Sequence, residues 1–222
     1  MDLPQPYPSN LLPNVTVDTN VVLQIRPRHV ALGMAAIAQH SMAESMVSNV
    51  LTAMLRADPA PAAAIYGAIR NGKLQRDALM AVASEVLADA DGQLFSKVLG
   101  LLQGSAKGRD QLAHWLWATD PQLPDALVLV RPDQLWRFSA QVRQLNSGGG
   151  PSAKDAEDMQ DRIRAACSVW SLQDVLDVRE RGLRSFTGLI AFCELLQTSD
   201  ETTALTHRET IANLLAQASG RG

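Results

Sequence analysis

Long stretches of this chain carry apolar residues at helical spacing, separated by short clusters of Pro, Gly, Asp and Asn. The first stretch, 28–56, holds no proline and a single glycine, Gly33. Apolar residues surround almost its whole wheel, which predicts a helix central to a bundle. Asp58-Pro59 predicts the next start, with Asp as the cap and Pro in the first turn, and that helix is expected to run to about Arg70. Asn71-Gly72 then reads as a left-handed stop. A third helix is expected over 74–89, a loop at 90–92, and a fourth helical stretch over 93–117. The middle of that stretch, 103–108, is weak enough in helix formers to favour a break. Further helices are expected over 133–145, 152–167, 172–197 and 203–217, and Ser152-x-x-Asp155 has the spacing of a capping box.

Four segments leave the helical period. Ala126 to Arg131 is a short apolar run before Pro132 and is the best strand candidate. Residues 1–27 hold five of the eleven prolines and read as an extended arm. Within the arm, Val21 to Ile25 suits either a short strand or an apolar anchor. Asn146 to Pro151 reads as a loop tip, and 218–222 as a tail. The pattern as a whole predicts an all-α fold. It is a helical bundle of about seven to nine helices over 28–217, with room for one short strand or hairpin near 126–131.

Composition narrows this picture. The chain has 222 residues, 46% of them hydrophobic, with 31 Ala and 30 Leu, which excludes a disordered polymer. Its longest apolar runs, 30–38 and 60–69, fall short of the ~20 residues that span a bilayer. The first residues carry an acid and prolines, with no basic segment leading into an apolar one. A soluble, cytoplasmic protein with no membrane partner is therefore expected. Two cysteines are too few for a disulfide scaffold or a thiolate zinc site. A net charge of -3 argues against a broad nonspecific grip on nucleic acid. Sixteen Arg against four Lys leave room for a local bidentate anion contact.

Little of the chain offers chemistry. Cys167 and Cys193 stand in apolar contexts and read as buried side chains. No phosphate-cradling loop, zinc-protease or nucleophile-elbow pattern occurs, and no cofactor is expected. His40 and Glu44 stand at i and i+4, but two ligands do not make a metal site, and none is expected. Glu44 shares a stripe with Ile37 and Leu51, where a carboxylate needs a partner, and an Arg is the predicted one. The richest segment runs from Lys107 to Trp117. Asp110 and His114 lie on one helical face, where a carboxylate can orient an imidazole. Arg109 opens the same turn, while Leu112 and Leu116 would anchor the helix. A histidine can move the proton of a ribose 2′-hydroxyl, and an arginine can stabilise the anionic transition state.

This segment resembles the signature of the HEPN superfamily (higher-eukaryote and prokaryote nucleotide-binding domains). That signature is Arg, about four to six residues, then His, usually with Asn, Asp or His after the Arg. Arg109-Asp110-Gln-Leu-Ala-His114 has this form. Ala113, His114 and Trp117 match a common version of it, and Trp115 stands where many relatives have Gly. The long first helix carrying Glu44 and the segment Val169 to Asp174 resemble the surrounding order. The resemblance implies a homodimeric, metal-independent endoribonuclease acting on RNA in a defence, toxin–antitoxin or RNA-processing setting, where an antitoxin is a possible partner. Arg109 and His114 would be its catalytic pair and Asp110 the orienting group, with Glu44 and Trp117 in support. The alternative is a noncatalytic module that binds a nucleotide or a protein.

Overall fold

A computed structural model describes residues 4–135 and 152–219. In chain order the elements are β1 (Gln5–Pro6), α1 (Thr19–Ile25), α2 (Pro27–Leu55), α3 (Pro59–Ala68), α4 (Gly72–Val86) and α5 (Asp89–His114). They continue with β2 (Leu116–Ala118), β3 (Leu127–Val130), α6 (Ala153–Ala166), β4 (Cys167–Trp170), α7 (Leu172–Gln197) and α8 (Glu201–Ser219). The predominantly helical bundle read from the sequence is present. No helix among the described residues is long and apolar enough to cross a membrane. Most of the helix expected at 133–145, the loop tip at 146–151 and the end of the tail lie outside the described residues.

Local chemistry sets most boundaries. Asp58 caps α3 by accepting from the Ala60 N–H, with Pro59 at the first position. Ser152 and Asp155 form the reciprocal capping box at the start of α6. Ser171 and Asp174 make the same exchange before α7. Three expectations are corrected. Asn71 does not stop α3 in a left-handed turn; its side chain accepts from the Lys73 and Leu74 N–H groups and starts α4. Residues 90–92 are not a loop, because Asp89 and Asp91 suit the first turn of α5 and Arg208 grips Asp91 through two bonds of 2.8 and 2.9 Å. Nor does α5 break at 103–108. Its weak residues are held by tertiary contacts, with Ser105 against His40 and the Gly104 carbonyl accepting from Arg181.

The structure divides into two compact units. One comprises Met1–Ile37 and Lys107–Val178, and the other Ala38–Ala106 and Arg179–Gly222. The first contains an antiparallel sheet in the order β1-β4-β3-β2. The expected strand at 126–131 is β3, and all four of its residues are buried. Leu127 and Leu129 face a cluster with Val22, Ala36, Leu112 and Trp170. Val128 and Val130 face the opposite cluster with Tyr7, Ala118 and Cys167. Both faces are covered, so the strand reads as a continuous apolar run instead of an alternating one. Val21 to Ile25 takes the anchor form: it lies in helix α1, and Val22 is fully buried. The arm is fixed within its own chain by β1 and by the Tyr7 hydroxyl, which donates to Asp120 at 2.6 Å.

The second unit is a helical core. Val47, Val50, Phe95, Leu189, Phe192 and Ile211 are among its fully or almost fully buried side chains. The Phe95 and Phe192 rings stack with centroids 5.0 Å apart.

Candidate functional site

The motif occupies the last two turns of α5. Gly108, just before it, is in close contact with Val178: a Cβ at Gly108 would lie 2.5 Å from a Val178 methyl. Leu112 is 1% exposed and anchors the next turn in the core. At the end of α5 the last carbonyls lack helical partners. The Trp115 N–H closes one such bond to the Gln111 carbonyl at 3.0 Å. The indole N–H of Trp117 donates to the Leu112 carbonyl at 2.8 Å. Trp117 therefore caps the helix that carries the motif, from its place in the middle of β2. Its ring also presses on Gly33 of α2, where a Cβ would come within 2.6 Å. Trp115 and Trp117 pack against one cluster of the sheet-containing unit and Leu116 against the other, so these residues fill the core.

His114 is the final residue of α5, and its side chain is exposed. The other three histidines are not available in this way. His29 and His40 are buried, and His207 pairs with Glu194 at 3.5 Å. Arg109 and Asp110 come together directly, with Nη1 donating to Oδ1 at 2.9 Å. The arginine side chain is 20% exposed and the carboxylate 58%. Asp110 thus turns to its neighbour, and no bond from it to the His114 ring occurs among the described residues. An ion pair this exposed adds little stability, on the order of 0–1 kcal/mol, so its main effect is on where the guanidinium points.

Glu44 belongs to the other unit. It is half exposed and lies 3.4 Å from His40 Nε2, while His40 Nδ1 lies 2.8 Å from the Ser105 hydroxyl. The stripe shared with Ile37 and Leu51 turns outward at Glu44, which relieves the burial cost expected there. Ser105 donates its own proton to the Leu102 carbonyl at 2.8 Å. Its oxygen therefore accepts from the protonated Nδ1 of His40. This Ser–His–Glu chain is sealed at the serine, which is 1% exposed, so it serves as a polar staple inside the helical core. The spacing of His40 and Glu44 was legible in the sequence, but nothing there signalled the serine, since Ser105 and His40 stand 65 positions apart. Among the described residues there is no cluster of three or more potential metal-binding side chains.

Asp120 lies between β2 and β3. It is fully buried, and it accepts from the Tyr7 hydroxyl, the Asn14 N–H and the Gln122 N–H. Burial pushes its carboxyl upward, but these hydrogen bonds prevail and hold it below the ordinary carboxylate range. Burial raises both thiols. That of Cys167 is pushed up to about 12, with the Asp120 charge as a second cause, and that of Cys193 is raised with help from Glu194. Both cysteines are neutral, apolar side chains at physiological pH. No family model, curated protein or solved structure matches the chain.

Proposed function

We propose that this protein is a HEPN-like, metal-independent endoribonuclease in which His114 and Arg109 act on the RNA backbone. The observation that carries the reading is the exposure of His114 at the end of a helix whose last turns are fixed by Leu112 and Trp117. A neutral His114 takes the proton of a ribose 2′-hydroxyl. The freed oxygen attacks the neighbouring phosphorus, and the bond to the 5′-oxygen breaks. The leaving 5′-oxygen takes a proton from solvent water, and a 2′,3′-cyclic phosphate remains on the other fragment. Arg109 stabilises the negative charge that grows on the phosphoryl oxygens. One motif supplies one histidine and one arginine, so a homodimer would bring two copies to one RNA.

One observation favours a second reading. Arg109 is four-fifths buried and bonded to Asp110, which suits a guanidinium that shapes a surface. On that reading the chain binds a nucleotide or a protein without turnover. The two are separated by incubating labelled single-stranded RNA with the protein in a metal chelator, beside Arg109→Ala and His114→Ala. The ribonuclease reading expects cleavage by the parent and loss in both variants, with unchanged thermal melts. Cleavage that survives in both variants, or RNA bound but never cut by the parent, overturns it.

A further inference from the structure

The junction of α1 and α2 holds a buried histidine that has no part in the chemistry above. His29 is the third residue of α2 and is 7% exposed. Among the described residues nothing bonds to its buried Nε2. Its place in the first turn also sets it near the positive end of the helix dipole, which disfavours a cation there. Arg26 stands between the two helices. Its guanidinium fastens the junction to the segment that joins β2 and β3. Nε donates to the Ala126 carbonyl at 3.0 Å and Nη2 to the Leu123 carbonyl at 3.3 Å, while Nη1 donates to the Ile25 carbonyl at 2.9 Å. The Arg26 carbonyl in turn accepts from the Val30 N–H at 3.1 Å, so the same residue closes the turn that carries His29.

A neutral ring suits this place. Burial holds the imidazole below its ordinary 6.5, the Arg26 charge adds to that effect, and Asp125 of the β2–β3 segment opposes both. An imidazolium would set a buried donor without an acceptor beside a guanidinium already committed to three carbonyls. We propose that His29 is the trigger of an acid-sensitive latch: when its ring takes up a proton it leaves the interior, the first turn of α2 opens, and Arg26 releases the Leu123 and Ala126 carbonyls. The end turn of a helix is where local opening costs least. The closed latch binds the proton more weakly than the open one, so opening is suppressed above pH 6.5 and grows as the pH falls below it. At about pH 5.5, one unit lower, it grows about tenfold. Asp120 keeps its charge there, since its carboxyl lies below 3.8. The inference is independent of the ribonuclease reading, because neither Arg109 nor His114 belongs to the latch.

Hydrogen exchange of the full chain at about pH 7.5 and about pH 5.5, corrected for the intrinsic pH dependence of exchange, tests it. Peptides covering 19–33 and 122–126 should lose about tenfold in protection on acidification, while those covering 95–105 in the helical core keep theirs. His29→Leu fills the same space without a titrating group and should hold its protection at both pH values. A thermal melt at the higher pH establishes that this variant folds. Proton NMR of the His29 ring in the parent supplies a readout that needs no variant, with titration expected below 6.5. Equal protection of the parent at both pH values overturns the proposal, as does an acid loss that persists in folded His29→Leu. A His29 ring that titrates at or above 6.5 in the folded protein overturns it as well.

Discussion

Replacing Gly33 by alanine asks whether Trp117 is as firmly fixed as its contacts imply. The added Cβ would sit 2.6 Å from the ring's Cη2 and 3.0 Å from Cζ2. Ordinary contact begins near 3.4 Å, so the ring must retreat by 3.4 minus 2.6, or 0.8 Å. It has little freedom to do so, because its N–H is bonded to the Leu112 carbonyl at 2.8 Å and Leu112 is itself core. Overpacking of this kind costs about 1–3 kcal/mol, and an anchored ring puts the cost near the upper end. Alanine returns about 1 kcal/mol of helix propensity. The net expectation is a loss of about 2 kcal/mol. Urea unfolding followed by tryptophan fluorescence reads it well, since Trp115, Trp117 and Trp170 pack in this unit. Trp117→Phe alone loses the capping bond, at about 1 kcal/mol, along with ring contacts. Combined with Gly33→Ala it should relieve the clash, so that the two changes together cost about 3 kcal/mol less than their sum. If Gly33→Ala stabilises the protein, or if the two effects simply add, the ring is not held as described.

Two further substitutions probe buried polar groups. Asp120→Asn should cost about 2–3 kcal/mol near neutral pH, because an amide cannot accept from all three donors as the carboxylate does. The folded carboxyl lies below its unfolded value of 3.8, so its contribution is complete above that value and is lost as pH falls through the folded one. Thermal melts from about pH 7 to pH 3 should therefore show the parent losing stability below about pH 4 with the variant's curve flatter there; parallel curves would contradict the role given to Asp120. Ser105→Ala strands the buried Nδ1–H of His40 and should lower stability by about 1–3 kcal/mol. An unchanged urea midpoint would mean that the imidazole finds another acceptor.

What the sequence disclosed depended on the range of the interaction. Caps and helical periods act over a few residues, so Asp58, Ser152 and the span of α7 were legible, as was the buried strand at 127–130. The strands β2 and β4 were not. Leu116–Ala118 continues a helical pattern, and its residues become a strand because they pair with β3. The same competition decided Gly104 and Gly108, whose poor helix propensity was overridden by the Arg181 hydrogen bond at the first and by packing on Val178 at the second. At the candidate site, the spacing of Asp110 and His114 was legible, but the contact made was between Asp110 and Arg109. Spacing shows which groups can reach each other, and it does not choose among competing partners. Asp120 and Tyr7 stand 113 residues apart, beyond any pattern that one chain displays.

The same separation constrains how the protein is made. The sheet-containing unit uses residues from the beginning of the chain and from 107 to 178, so its first segment is synthesised long before its last. Gln5–Pro6 has no strand to pair with until Cys167–Trp170 follows it, and Val22 has no Trp170 to pack against. During synthesis, at about 5–20 residues per second, the arm would wait for about 8–32 s with its apolar residues uncovered. Such long-range pairing folds slowly and favours association between nascent chains. The prolines that stiffen this arm also make it a poor template for another strand, which protects it during the interval.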